Sequence, residues 1–148
     1  MGFINQTDPP WNELSRFLAD ILWHFGPRGL DGECCRDLTM PEFMALAKVS
    51  ETEDCPVREI GSTLGYTKSG ATRMVDRLEG KGLVSKARSK NDGRICCVKI
   101  TKQGEDSLKA AFSVLRGQLD SLLSRMPGDS EKLIIEALAL MSKAARSI

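Results

Sequence analysis

Five cysteines are the residues of this 148-residue sequence with the most varied possible chemistry. An odd number with two adjacent pairs is a poor disulfide framework and favours a reducing compartment, the cytoplasm. All five are candidate sensors of oxidants or electrophiles. The alternatives are inert thiols, since a buried cysteine is usually just a small apolar residue, and soft-metal binding by the adjacent pairs. They are Cys34, Cys35, Cys55, Cys96 and Cys97.

The residues around each cysteine predict how exposed and how reactive its thiol is. Cys55 precedes Pro56 at an expected helix N-terminus, a position that lowers a thiol pKa and favours reactivity. In an expected strand, Cys96 shares parity with Val98 and Ile100, so we predict that it is buried. Cys97 has the opposite parity, and we predict that it is exposed. The lone histidine has no nearby ligand motif, so no metal site is expected.

Cations form the second chemically distinct set. The segment 66–102 holds ten Lys and Arg residues but only three Asp and Glu residues, a local charge of +7. The whole chain has a net charge of +1, so the remainder carries −6. A basic segment on an otherwise acidic chain is typical of a protein that binds a polyanion.

Other classes of protein find no support in the sequence. There is no phosphate-binding loop, acid pair, CxxC or nucleophile motif, so we expect neither an enzyme nor a cofactor. A thiol enzyme is the weakest alternative, because the sequence has a single histidine. No apolar run is long enough for a membrane span, and the N-terminus lacks a signal-peptide pattern, which again indicates the cytoplasm.

The basic residues lie in a pattern of helices. Apolar residues recur at helical spacing over 11–24, and a capping box over 39–42 opens a second helix. A third helix begins at Pro56 and ends at Gly65, and Thr67 caps a fourth helix over 68–80. The third and fourth form a helix-turn-helix. The fourth buries one apolar stripe and exposes the polar face Ser69, Thr72, Arg73, Asp76 and Arg77.

After the fourth helix the hydrophobic period changes to an alternation typical of strands. Residues 83–88 and 95–101 form two expected strands, and Asn91-Asp92-Gly93 is a hairpin-turn signal between them. The predicted fold is therefore mainly α with a small β-hairpin wing. The hairpin carries the cations Lys86, Arg88, Lys90 and Arg94.

The C-terminal third returns to helix. Apolar residues from Leu108 to Met126 are spaced by four and three, as in a heptad seam, and a last helix follows Pro127-Gly128. Together with the first helix, these segments carry more apolar surface than a small winged helix needs to cover its own core. We therefore expect them to form a homodimer interface. A larger monomeric core is the alternative. The predicted organisation is a helical dimerisation region over 1–37 and 105–148 around a DNA-binding region over 38–104.

From Leu38 to Gly104 the sequence resembles the multiple antibiotic resistance regulator (MarR) family of winged helix-turn-helix transcription factors. The resemblance rests on TKSGATRMVDRLEGKGLV at 67–84, NDGR at 91–94 and KITKQG at 99–104, in the family's order and spacing. It departs at Gly61, where Ala is usual, at Gly70, where a β-branched residue is common, at Lys86, which replaces a common Arg, and at Gly93, where a basic residue is frequent.

The resemblance implies a dimeric regulator of double-stranded DNA with a pseudo-palindromic operator, acting as a repressor relieved by a small aromatic or electrophilic effector or by thiol modification. It also implies that Arg94 enters the minor groove while Asp92 holds its guanidinium, although Asp92 could serve only the turn. The alternative is a winged-helix protein-interaction module without specific DNA binding. The candidate DNA-binding residues are Lys68, Ser69, Gly70, Thr72, Arg73, Arg77, Lys86, Arg88, Lys90, Asp92 and Arg94.

Overall fold

A computed structural model describes residues 10–25, 33–35, 37–89 and 92–147, with the side chains of 10–12 and 33–35 left out. The described part of the chain forms six helices and five short strands. The helices are α1 (Pro10–Phe25), α2 (Met40–Glu51), α3 (Val57–Leu64), α4 (Lys68–Gly80), α5 (Lys102–Leu123) and α6 (Ser130–Ala145). The strands are β1 (Glu33–Cys35), β2 (Leu38–Thr39), β3 (Cys55–Pro56), β4 (Val84–Arg88) and β5 (Cys96–Ile100).

The capping box predicted at the start of α2 is confirmed. The Thr39 hydroxyl accepts from the Glu42 N–H, and the Glu42 carboxylate accepts from the Thr39 N–H at 2.9 Å. Glu42 is 1% exposed and also accepts from Lys81 Nζ at 2.9 Å. Burial alone would raise the pKa of Glu42, but the bonds from Thr39 and Lys81 outweigh burial and hold that pKa below its ordinary value. This pair joins the start of α2 to the end of α4.

The helix-turn-helix is also confirmed. Gly65 ends α3 with φ of +65°, a left-handed conformation that favours glycine. Thr67 then caps α4, its hydroxyl accepting from the Gly70 N–H at 3.2 Å. The predicted apolar stripe of α4 is buried: Ala71, Met74, Val75 and Leu78.

A three-stranded antiparallel sheet forms the wing and its base, in the order β3-β5-β4. Strands β4 and β5 lie within one residue of the predicted bounds. The third strand, β3, was not predicted from the sequence. It lies in the connection between α2 and α3 and pairs Cys55 with Val98 and Pro56 with Cys97. The wing is therefore hydrogen-bonded to the helix-turn-helix. A separate antiparallel pair joins β1 to β2.

The core sits between α2, α3, α4 and the sheet. Its fully buried side chains include Leu46, Ile60, Val75, Leu78 and Val98. The start of α5 completes it with Leu108 and Ala111, and the rings of Phe43 and Phe112 meet edge to face with centroids 5.0 Å apart. This core fixes the angle at which α4 presents its polar face.

The first turn of α5 approaches the backbone of the wing very closely. Thr101 Oγ1 donates to the Gly82 carbonyl at 2.7 Å and accepts from the Gly104 N–H at 3.0 Å, while the Thr101 N–H donates to the Leu83 carbonyl. A Cβ on Gly104 would lie 2.0 Å from the Leu83 carbonyl oxygen. Position 104 therefore has no room for a side chain.

The contacts divide the chain into two compact units, residues 1–112 and 113–148, with the boundary inside α5. In the first unit, α1 leaves Leu14, Phe17, Leu18, Ile21 and Leu22 exposed. In the second unit, α6 has no buried residue, and its exposed apolar side chains include Leu133, Leu138, Leu140 and Met141. Both helices thus carry large unburied apolar surfaces in a single chain.

None of the helices within the described ranges is long and apolar enough to cross a membrane.

Candidate nucleic-acid interface

The polar face of α4 is the first component of the candidate site. Its buried stripe anchors the helix, so Ser69, Thr72, Arg73 and Arg77 lie exposed on the other side, as predicted, with Lys68 in the first turn. The Thr72 hydroxyl donates to the Lys68 carbonyl at 2.9 Å, which leaves its oxygen lone pairs available. Among the ion pairs of the described residues, none involves Lys68, Arg73 or Arg77. These cations are therefore available to an external anion.

Gly70 lies in the first turn of the same helix. It is half-buried, and a Cβ there would lie 3.4 Å from both Tyr66 Cβ and Thr67 Oγ1. The Gly70 N–H is already bound by the Thr67 hydroxyl that caps α4. Tyr66, which was not among the predicted site residues, is partly exposed beside this turn.

The wing is the second component, and Arg94 is one of its exposed cations. Asp92 Oδ1 accepts from the Arg94 backbone N–H at 2.9 Å. No ion pair joins the two side chains within the described residues. In the free protein Asp92 therefore stabilises the hairpin turn and does not hold the Arg94 guanidinium. Arg88 Nη1 donates to the Gly93 carbonyl at 3.3 Å, which ties this arginine to its own hairpin. Lys90 and Asn91 lie outside the described residues.

Lys86, one of the candidate DNA-binding residues, is bound to the protein itself. Its Nζ contacts Asp76 Oδ1 and lies 3.0 Å from Glu79 Oε2, and its backbone N–H donates to Glu79 Oε1 at 3.1 Å. Hydrogen bonds to Asp76 and Glu79 raise the pKa of Lys86, and the bonds from Lys86 lower the pKa of Glu79. Its charge is already shared between two carboxylates of α4.

The predicted exposures of Cys96 and Cys97 are wrong. Cys96 is exposed, whereas Cys97 is 2% exposed. Cys97 and Val98 point to opposite faces of the sheet and both are buried, so both faces of β5 are covered there. Cys96 lies at the start of β5, beyond the end of β3, and pairs only with Arg88. Parity alone fails where both faces of a strand are covered.

The predicted reactivity of Cys55 is also wrong. Cys55 is completely buried in β3, and burial raises the pKa of its thiol to about 11, with the nearby charge of Glu59 acting in the same direction. Its thiol donates to the Pro56 carbonyl at 3.8 Å. The thiolate needed for reaction is thus strongly disfavoured.

Cys34 and Cys35 belong to β1, and their side chains lie outside the described residues. In the part of the chain that is described, no three His, Cys, Asp or Glu side chains are grouped so that they could hold a metal ion. The structure thus leaves Cys96 as the accessible thiol among the three cysteines whose side chains are described.

This arrangement predicts an order of modification. We expect iodoacetamide at pH 8 to label Cys96 at least about tenfold faster than Cys55 or Cys97, because both of the latter are buried and the raised pKa of Cys55 leaves little thiolate there. Tandem mass spectrometry over time, which assigns the label to Cys96 or Cys97 within the one peptide that carries both, measures the three rates separately. A Cys96→Ser variant is the control and should lose only the fast label. Equal rates at the three positions would contradict the burial of Cys55 and Cys97.

A cleft of about 780 Å³ lies where β2, the segment after α4 and the start of α5 meet. Its walls combine apolar Leu38 and Leu83 with charged Lys81 and Asp106. Its volume lies within the range of small-molecule sites.

Comparison with known proteins agrees with this geometry. The family model for the MarR family matches residues 38–96. The chain is 22% identical over 120 residues to an uncharacterized HTH-type transcriptional regulator, YdgJ, of Bacillus subtilis, covering 81% of this chain and 73% of that protein. It is 28% identical over 102 residues to the organic hydroperoxide resistance transcriptional regulator of the same organism, covering 69% and 68%.

Among solved structures, the chain resembles FabT of Streptococcus pneumoniae, determined in complex with DNA. The TM-score is 0.76 at 16% identity, over 93% of this chain and 98% of FabT. At that identity the likeness shows the fold. With the helix-turn-helix and the paired wing, the family match identifies residues 38–96 as a segment of the MarR family, whose members are winged helix-turn-helix transcriptional regulators.

Proposed function

We propose that this chain is a homodimeric, sequence-specific DNA-binding regulator that represses transcription and is released by a small ligand or by thiol modification. The observation that carries the proposal is the α4 face. Arg73 and Arg77 lie exposed and without an ion pair among the described residues, on a helix held rigidly by a buried stripe. Beside them the wing exposes Arg94.

The geometry suits duplex DNA because the major groove admits one α-helix and its bases accept hydrogen bonds from arginine. Thr72, Arg73 and Arg77 are the residues placed for base or phosphate contacts in that groove. Lys68 and Ser69 lie in the first turn, where the helix dipole favours phosphate. Arg94 suits the minor groove, whose negative potential is strongest where it is narrow. Arg88 and Asp92 shape the hairpin that carries it.

Dimerisation follows from the unburied apolar surfaces of α1 and α6. A monomer rarely leaves so many large apolar side chains exposed, and two copies would bind two half-sites of a pseudo-palindromic operator. FabT, with the same fold, was crystallised with DNA, which supports the DNA partner. The relatives are described as transcriptional regulators, which fits a protein without catalytic activity.

Release requires a site where an effector acts. The cleft beside α5 is our candidate for a small aromatic effector. For thiol modification, the candidate is Cys96, since it is accessible and lies on the wing next to Arg94. One relative is a regulator of organic hydroperoxide resistance, which supports testing an oxidant.

Arg94→Ala is expected to weaken binding to the operator by about 10- to 100-fold, because one good arginine contact contributes about 1–3 kcal/mol. The measurement is a gel-shift titration on DNA upstream of the protein's own gene and on a random-site pool, under reducing conditions and after mild peroxide. Arg125→Ala removes the same charge outside the basic segment and should bind like the wild type.

Two outcomes would overturn the proposal. If the wild type shows no sequence preference on either DNA in either redox state, regulation through an operator fails, and a protein-interaction module becomes the better explanation of the surface. If Arg94→Ala and Arg125→Ala bind equally well, the wing does not contact DNA. Unchanged affinity after peroxide would remove thiol modification and leave the ligand as the means of release.

A further inference from the structure

Lys86 joins the wing to α4 through three polar contacts. Its ammonium contacts Asp76 and Glu79, and its backbone N–H donates to Glu79. Both carboxylates belong to α4, and Lys86 belongs to β4. An ammonium has three donors and no acceptor, so two carboxylates already use most of its capacity.

The position of the two acids makes this contact important for DNA. Asp76 lies one residue from Arg77 and three from Arg73, on a helix whose exposed face otherwise attracts phosphate. Asp76 and Glu79 are 53% and 42% exposed, so their charges reach solvent. A carboxylate near a phosphate costs binding energy, because like charges repel and the DNA counterions provide only partial screening.

We propose that Lys86 is a positioning residue that acts through Asp76 and Glu79 by cancelling their charge beside the DNA, and that it does not itself bind phosphate. The inference rests on the proposed DNA-binding function. It differs from the expectation for a wing lysine, which would add one nonspecific phosphate contact. It also assigns a role to two acids within an otherwise basic segment.

Stability and affinity should respond differently to loss of this contact. Surface ion pairs contribute little to folding, so removing Lys86 should change the melting temperature only slightly. Affinity for DNA should fall, because two uncompensated carboxylates would then face the phosphates. If Lys86 instead bound a phosphate, its loss would lower affinity whether or not the acids were present.

The test compares three proteins on one operator: the wild type, Lys86→Gln, and the triple variant Lys86→Gln, Asp76→Asn, Glu79→Gln. We expect Lys86→Gln to bind about tenfold more weakly, as is typical for loss of one charge next to DNA. The triple variant should recover to within about threefold of the wild type and keep the wild-type salt slope, since no phosphate contact is lost. Lys99→Gln removes the ion pair to Asp54, which does not involve α4, and should leave affinity unchanged within error.

A triple variant that stays as weak as Lys86→Gln, with a salt slope reduced by about 0.9, would show that Lys86 is a phosphate ligand and would overturn the inference. A wild type that does not bind the operator is a different result, because it defeats the proposed function itself. Melting curves for each variant exclude unfolding as the cause of weak binding.

Discussion

Leu133→Asp is expected to convert the protein to a monomer and to weaken operator binding by more than about 100-fold. Leu133 is 69% exposed in the single chain, on an arc of α6 that also carries Leu138, Leu140 and Met141. If the α6 arcs of two protomers pack together, the substitution places one aspartate from each protomer in an apolar interface. An unpaired charge in such an interface is costly. Loss of the second DNA-binding unit then removes the bivalent gain in affinity.

Sedimentation or light scattering measures the association state, and the gel-shift titration measures affinity. Ala139→Asp is the matched control, because it places the same charge on the opposite side of the same helix. That variant should remain dimeric and bind normally. If Leu133→Asp stays dimeric while binding DNA like the wild type, the apolar arc of α6 is not the interface, and the predicted dimerisation region needs revision.

Gly104→Ala is expected to destabilise the fold by about 3 kcal/mol, the upper range for overpacking, because the new Cβ would lie 2.0 Å from the Leu83 carbonyl and 2.8 Å from Ile100 Cγ1. A carbonyl held by the Thr101 N–H cannot move without breaking the junction between wing and α5. For a chain of this size the melting temperature should fall by roughly 6–12 °C.

Gly117→Ala provides the control in the same helix. A Cβ at Gly117 has no neighbour within 4 Å among the described residues, and alanine is the better helix former, so this variant should be slightly more stable than the wild type. Both proteins are melted at one concentration, since dimerisation makes the melting temperature depend on concentration. A normal melting temperature for Gly104→Ala would mean that the first turn of α5 lies farther from the wing.

The helices of the DNA-binding region were predictable because their signals are local. The capping box at Thr39, the left-handed Gly65 and the cap at Thr67 each depend on residues within a few positions. The stripe of α4 follows from helical spacing, so the polar face could be assigned from the sequence alone. Strand β3 was missed because two residues cannot show an alternating period.

The site was predictable in outline but not in its electrostatics. The exposure of Arg73, Arg77 and Arg94 follows from pattern and family resemblance. The pairing of Lys86 with Asp76 and Glu79 depends on how β4 lies against α4, which no local signal specifies. The burial of Cys55 and Cys97 was missed for a related reason. It depends on the pairing of β3 with β5, which neither the position of Cys55 before α3 nor the alternation of side chains along a strand indicates.

The pairing of β3 with β5 also bears on the order in which the chain folds. Cys55 and Val98 are far apart in sequence, and everything between them, including α3 and α4, lies within the loop that their pairing closes. Closure of a long loop has an entropic cost that only the finished contact offsets. A nascent chain that stops before Ile100 therefore lacks part of the strand that completes the sheet, and the pairing that covers Cys55 forms only after that strand has emerged.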